Sequence, residues 1–305
     1  MHWLRYIAKY SKPTSKQDCL AMTILCRNEV DIIGANIKTH AKLGVDKFVV
    51  MDNGSTDGTR EVLAELSQHY DVTIIDQPSQ TYQQALWMKQ LAQKARQLGA
   101  DWVISNDADE FWLPKDSAKS LKDYLSHKDS VVTVQKSNVL LPEPALSDDF
   151  HFSQSTLRVQ YSIQYPVEAR KNDQNVSIFF NPTPSKVIVN PNGFVKISGG
   201  NHRAKHIANF LTAREEKGIR VYHYPVRSWA HFEEAIKHRR ELLKNPKAKM
   251  GQHYRRWVKL LEQDRLYEEY QNFIIKGSDL PTLKKYGLVV EDNLPSKTII
   301  KVDEL

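Results

Sequence analysis

Three carboxylates fall within four residues at Asp107, Asp109 and Glu110, in the run Asn106-Asp107-Ala108-Asp109-Glu110-Phe111-Trp112. Carboxylates this close repel one another unless a cation compensates them. The run follows an apolar segment, 102–105, that reads as a buried strand. Open α/β sheets bind ligands at the carboxyl ends of their strands. Asp107 and Asp109, two positions apart, can both reach one hard cation, with a phosphate completing its shell. Such a cation would neutralise charge on a departing diphosphate. The bland alternative is an acidic turn in water, since Asp-x-Asp is a common tripeptide. The strand before it and the aromatics after it favour the ligand reading.

Two earlier loops point to the same sheet edge. Cys26-Arg27-Asn28-Glu29 follows a first apolar strand at 20–25. Asp52-Asn53-Gly54-Ser55-Thr56-Asp57-Gly58-Thr59 follows a second at 47–51. Asp52 can accept hydrogen bonds from a ribose hydroxyl or a base N–H, and the glycines permit close approach. Ser55, Thr56 or Asp57 can also cap a helix starting at Arg60, which is compatible with ligand contact. Further on, Tyr222-His223-Tyr224-Pro225-Val226-Arg227-Ser228 offers His223 as a third metal ligand and Arg227 as a bidentate phosphate clamp. A histidine bonded to backbone in a turn is the competing account. His202 and Arg203 face donor phosphate or acceptor, or occupy a surface turn. Lys186 is an anion contact or a solvated edge-strand lysine. A transferase also needs a carboxylate base for the acceptor hydroxyl. Glu143, Asp148, Asp149 and Glu168 are candidates by position, and Glu168, following Tyr165-Pro166-Val167, is preferred. Neither GxGxxG nor GxxxxGK[ST] occurs, so a dinucleotide fingerprint and a P-loop are unsupported.

The elements that must position these residues follow from periodicity. Strands are expected at 20–25, 47–51, 72–75 and 102–105, separated by helices over 29–43, 60–69 and 82–98. This alternation predicts a three-layer α/β sandwich with a mostly parallel central sheet. After Asp109 the rhythm gives way to a mixed region with strands at 131–134 and 186–189. From Ser228 to Leu266 the pattern turns helical, basic and aromatic. The reading divides the chain into an N-terminal extension (1–17), a catalytic domain (18–230) and a basic helical C-terminal extension (231–305).

The 305 residues, 41% hydrophobic and 26% charged, describe an ordinary globular chain and exclude a fibre or a disordered tail. The net charge is +7. The stretch 227–260 carries ten Lys/Arg against three Asp/Glu, so the rest of the chain balances. A uniform nucleic-acid-binding body is therefore not expected. A basic helix over 231–261 suits an anionic membrane surface or acidic acceptor, or simply a solvated helix face. The two cysteines, Cys19 and Cys26, exclude a disulfide framework and a Cys-rich zinc module. With no apolar run of membrane-spanning length and no signal-like apolar core, a cytoplasmic protein, peripheral at most on the inner membrane face, is expected.

The order and spacing of the three loops resemble the glycosyltransferases of family 2 and their relatives with the GT-A fold. The resemblance covers about residues 18–114, with a weaker continuation to about 232. It implies that Thr23, Arg27, Glu29, Asp52 and Asn53 line the nucleoside pocket of a sugar-nucleotide donor, with Arg227 and His202 near its phosphates. It implies Asp107 near the ribose and metal, Asp109 as a direct ligand of Mn²⁺ or Mg²⁺, and His223 as a further ligand. DADEF, taken with HYPVRS, looks most like the divergent branch that includes family-92-like enzymes. The QxxRW motif of processive synthases is absent, against a polymerase. The expected activity is transfer of a sugar from a UDP-linked donor to a glycan or glycolipid hydroxyl, in surface polysaccharide synthesis such as capsule or lipopolysaccharide. The rivals are a nucleotidyl- or glycerophosphate-type transferase on the same platform and a non-catalytic nucleic-acid-binding protein.

Overall fold

The computed structural model describes residues 18–78, 83–147, 149–166, 168, 177–207, 213–244 and 251–300. The first four strands are β1 (Leu20–Cys26), β2 (Lys47–Asp52), β3 (Val72–Asp76) and β4 (Trp102–Asp107), parallel and ordered β3-β2-β1-β4. Three helices connect them, α1 (Ile33–Lys42), α2 (Thr59–Leu66) and α3 (Gln84–Gln97). Side chains alternate across β1. Leu20, Met22 and Ile24 join a core with Ile33, Ile37, Leu63 and Leu66 of α1 and α2, while Ala21 joins one with Trp87, Met88 and Leu91 of α3. A strand buried on both faces must be apolar at nearly every position, which is why these segments stand out in the sequence. The helices therefore cover both faces, as the three-layer expectation required.

The remaining strands are β5 (Glu110–Pro114), β6 (Val131–Asn138), β7 (Leu141–Pro142), β8 (Leu157–Val159), β9 (Lys186–Val189), β10 (Phe194–Ile197), β11 (Ala204–His206), β12 (Arg214–His223), β13 (Ile274–Ile275) and β14 (Val289–Glu291). Four of them complete an eight-stranded sheet, β3-β2-β1-β4-β9-β6-β12-β5. Its β6–β12 pair is also parallel, while β4–β9, β9–β6 and β12–β5 are antiparallel. Only Ala108 and Asp109 link β4 to β5, yet these strands stand four steps apart in that order. Four steps of about 4.8 Å each would exceed the reach of so short a link in a flat sheet. The sheet therefore curls at this end, where β6 runs past β9 and its last residues pair with β12. Curling brings Asp109, Glu110, Asn138 and His223 together. Lys186 accordingly lies on a central strand and is fully buried, not on a solvated edge.

The basic stretch is two helices, α4 (Trp229–Leu243) and α5 (Gln252–Glu262), with residues 245–250 outside the described set. They are followed by α6 (Leu266–Gln271), α7 (Leu280–Lys285) and α8 (Leu294–Thr298). Phe232, Ile236, Trp257, Tyr270 and Phe273 form a further core with Leu140, Leu141, Phe179 and Val226. Much of the basic charge is paired: Lys237 with Glu233, Lys244 with Glu241, Arg256 with Glu269, while Arg239 lies over the Tyr254 ring. Among the described residues no helix is long and apolar enough to cross a membrane.

Candidate active site

The two early loops are braced against each other by their own polar side chains. Asn28, in the left-handed region at φ 53°, donates its N–H to Ser55 Oγ (2.9 Å) and accepts from Thr56 N through Oδ1 (2.9 Å). Glu29 N donates to Thr59 Oγ1 (2.8 Å) and Val30 N to Asp57 Oδ2 (3.1 Å). Asp57 Oδ1 also accepts from Thr59 N (3.0 Å), capping α2. Of the capping candidates, Asp57 is the one that bonds the helix start, through the first N–H of α2, while Gly58 at φ 100° occupies the N-cap position itself. Asp52 accepts from the N–H and hydroxyl of Ser55. Asn53 donates to Gln77 O (2.7 Å), and its own carbonyl accepts from Arg27 (2.9 Å). Asp52, Asn53 and Arg27 thus share one edge, at the carboxyl ends of β1 and β2. Thr23 does not. It is fully buried inside β1, its hydroxyl donating to Ile104 O (3.3 Å), and it lines no open pocket.

A buried polar network beneath the acidic run fixes the turn from β4 into β5. Asn36 of α1 donates to Ala108 O (2.8 Å) and Glu110 O (2.9 Å), and Asn106 donates to Glu110 O (3.1 Å). Trp112 donates its indole N–H to Asn106 Oδ1 (2.8 Å) and its backbone N–H to His40 Nε2 (3.0 Å). Burial pushes His40 down to about 3, so its ring is neutral and Nδ1 carries the proton given to Asn36.

The carboxylates above this network have different partners. Glu110 is fully buried between Lys136 (3.2 Å) and Lys186 (3.0 Å). Asp107 takes Lys186 (2.5 Å) and the amide of Asn201 (3.0 Å). Burial works against the Lys186 ammonium, but Asp107 and Glu110 outweigh it and raise its proton affinity. Asp109 instead faces His223, with Oδ2 and Nε2 3.3 Å apart. The two expected aspartate ligands therefore diverge. Asp109, Glu110 and His223 form one of two groups among the described residues whose ligand atoms lie within 4.8 Å of one another, the other being Glu29, Asp31 and His231, and Asp107 stands outside both, held by a lysine.

The Asp109–His223 contact is chemically specific. Asn138 donates its amide to Phe179 O (2.7 Å), which turns Asn138 Oδ1 toward His223 Nδ1 (2.7 Å). Nδ1 must then donate, and in the neutral ring the lone pair of Nε2 points at Asp109. Burial alone would raise Asp109, but the protonated form of His223, together with Arg227 and Lys136, holds it well below the usual carboxylate range. An ionised oxygen and a lone pair facing each other at 3.3 Å need a proton or a cation between them. This donor set, one carboxylate and one oriented imidazole, fits a divalent cation with its remaining positions open to ligand.

Arg227 departs from its expected role. It is 2% exposed and forks onto Asp31 (2.7 and 2.8 Å) and Glu29 (2.6 Å), so it clamps two carboxylates of the first loop rather than a donor phosphate. Burial, with Asp109 and Asp31 nearby, pushes Glu29 up to about 8 despite Arg227. His231 lies 3.7 Å from Glu29, and burial and Arg227 push it down to about 4. His202 turns Nδ1 to Ser185 O (3.2 Å), and burial with Lys186 and Lys136 lowers it to about 4. Among the base candidates, Glu143, Asp149 and Glu168 are exposed, and Asp148 lies outside the described residues. Sequence reasoning missed Lys136, Lys186 as a central residue, Asn138, Asn201 and Asp31. A lysine within or at the start of an otherwise apolar strand was the available signal for the first two; the asparagines and Asp31 gave none.

Residues 19–261, most of the chain, match the family described as glycosyltransferase family 92. Among curated proteins none matches the sequence. Among solved structures, S. aureus TarS 1–349 in complex with UDP-GlcNAc is similar at 11% identity and TM-score 0.43, over 86% of this chain and 78% of that one. GalNAc-T7 with UDP, GalNAc and Mn²⁺ is similar at 11% identity and TM-score 0.38, over 70% of this chain and 45% of the other.

Proposed function

We propose a chemistry for the glycosyltransferase that this chain is, since it belongs to glycosyltransferase family 92: it moves a sugar from a UDP-linked donor to a hydroxyl of a glycan or glycolipid. The observation that carries the reading is the approach of Asp109 Oδ2 and His223 Nε2, two atoms that can each donate an electron pair to a cation when the ring is neutral, at the carboxyl edge of the sheet. Mn²⁺ or Mg²⁺ held by these two residues would supply charge neutralisation for the leaving diphosphate. Asp52, Asn53 and Arg27 hold the nucleoside over the ends of β1 and β2. Asp107, oriented by Lys186 and Asn201, takes a donor hydroxyl. The acceptor oxygen bonds to the anomeric carbon as the bond from that carbon to the diphosphate breaks. The hydroxyl proton passes to a carboxylate, for which Glu168 is the candidate chosen from sequence. A role in surface polysaccharide synthesis, with the exposed basic groups of α4 and α5 toward an anionic membrane, completes the proposal.

Asp109→Asn tests it. The variant is expected to unfold like the parent but to lose at least about 100-fold of Mn²⁺-dependent UDP-sugar hydrolysis, and to lose the Mn²⁺-dependent rise in melting temperature with UDP. An Asp109→Asn protein that stays active and metal-responsive overturns the site. Release of UMP or pyrophosphate instead of UDP would favour the nucleotidyltransferase rival.

A further inference from the structure

A cavity of about 250 Å³ opens beside the end of β6. It shares Lys136 and Asn138 with the site above, the residues that hold Glu110 and His223. Its walls are mostly hydroxyls and amides, among them Gln160, Ser162, Asn181 and Thr183. Asn181 Oδ1 is buried and takes no hydrogen bond among the described residues, leaving an acceptor for a ligand hydroxyl. The charge is one-sided. Lys136 and Arg220 line the cavity, and among the described residues no carboxylate does. Lys136 is matched by Glu110. Arg220 donates to Ser137 Oγ (2.7 Å) and forms no ion pair among the described residues. Its neighbourhood adds positive charge: Arg158 and Lys115 lie close, and the nearby carboxylate, Asp292, is engaged by Arg158 (2.7 Å) and the Tyr222 hydroxyl (2.8 Å). Burial and Arg158 both lower the proton affinity of Arg220, as expected of a guanidinium that lacks its counter-ion.

We propose that this cavity is the acceptor subsite and takes a saccharide bearing an anionic group, carboxylate or phosphate, with the anion on Arg220 and the sugar hydroxyls on the amide and hydroxyl walls. A planar guanidinium suits either anion bidentately, and a polar cavity with few apolar groups suits a sugar better than a flat hydrophobic ligand. The inference deepens the transferase reading and rests on it for the word acceptor.

Titration calorimetry on the full chain would compare glucose, glucuronate, glucose 6-phosphate and inorganic phosphate. The expected result is at least about tenfold tighter binding of glucuronate, glucose 6-phosphate or both over glucose. Which of the two anionic sugars wins identifies the group. Arg220→Gln should abolish the preference, Arg220→Lys should keep part of it, and thermal unfolding checks that each variant is folded. Gln160→Trp, a substitution at an exposed wall position, should block all the sugars and serves if Arg220 proves necessary for folding. Equal binding of glucose and both anionic sugars overturns the proposal, as does inorganic phosphate binding as tightly as glucose 6-phosphate, or a preference that survives Arg220→Gln. UDP-sugar hydrolysis measured in parallel separates the failures. Hydrolysis without anion preference sinks the acceptor inference alone, and Arg220-dependent preference without hydrolysis sinks the donor reading.

Discussion

At the scale of single residues, the chemistry of the site is set by which side chain each carboxylate is given. Asp107 and Glu110 receive lysines, while Asp109 receives an imidazole whose proton Asn138 has turned away. Asn138 therefore acts through His223. Asn138→Ala would free the ring to adopt either tautomer, and outer-sphere partners of this kind are typically worth about 10–100-fold in metal affinity. The expected outcome is a loss in that range in Mn²⁺ affinity, read from the Mn²⁺ concentration that half-saturates the thermal shift, with little change in the metal-free melting temperature. An unchanged half-saturation point would remove the positioning role. His40 makes a second residue-scale prediction. Its folded value near 3 lies below the unfolded value near 6.5, so the unfolded chain binds the proton first as pH falls. The stability that neutral His40 contributes is complete above pH 6.5 and is lost progressively toward pH 3, at up to about 1.4 kcal/mol per pH unit. His202 and His231 add the same sign over a narrower range, down to about 4. Glu29, raised to about 8, contributes with the opposite sign between pH 7.5 and 5.0, so the readout is the effect of His40→Gln on the denaturant midpoints at those two pH values: the variant should lose less stability than the parent on going to pH 5.0.

At the scale of elements, the first half of the sheet was legible because strands buried on both faces must be nearly continuous apolar runs and helices covering them must be amphipathic. The loops that close β1, β2 and β4 were legible for the same reason, since strand ends locate them. The curl of the sheet was not, because the pairing of β6 with β12 and of β12 with β5 joins residues about 80 to 110 positions apart with no local signature. Without the curl, Lys186 could be read equally as an anion contact or an edge residue, and Asn138 had no partner. Arg227 was misread for a related reason: its position after β12 suggested a ligand clamp, but the fold aims it at Glu29 and Asp31, pinning the entry to α4 onto the first loop. Arg227→Gln would leave Asp31 short of its counter-charge and Glu29 without its guanidinium donor, beside Asp109. Removing one partner of a buried ion pair costs roughly 3–5 kcal/mol, and the partial exposure of Asp31, 37%, reduces that figure here. A melting temperature several degrees lower, together with weaker UDP binding through the loosened loop, is the expected result. Full stability with impaired donor binding would instead return Arg227 to the phosphate role.

At the scale of the whole molecule, composition predicted a large core but not its division into several clusters, and the one built on the C-terminal helices decides how the chain holds together. Nine of its buried residues lie beyond position 230, from Phe232 to Val289. Each contributes roughly 1.5–3 kcal/mol on burial, so uncovering even a few of them is large against the roughly 5–15 kcal/mol of net stability typical of a folded domain. The C-terminal stretch is also stitched into the body by backbone and charge: β13 pairs with β7, β14 pairs with β8, Asp292 holds Arg158 and Tyr222, and Ile300 N donates to Thr39 Oγ1 (3.0 Å). Leu140, Leu141, Phe179 and Phe180 have their burial from these helices, and Asn138, which sets the His223 tautomer, is bonded to Phe179 O. Cutting the chain after position 230 would thus uncover an apolar face and release the very segment that orients His223. A fragment spanning 18–230 is expected to be insoluble or to lack a cooperative thermal transition, whereas the full chain should unfold in one transition seen alike by tryptophan fluorescence and far-UV circular dichroism. A soluble 18–230 fragment with cooperative unfolding and a UDP-dependent thermal shift would show instead that the C-terminal helices are an appended domain and that the site stands without them.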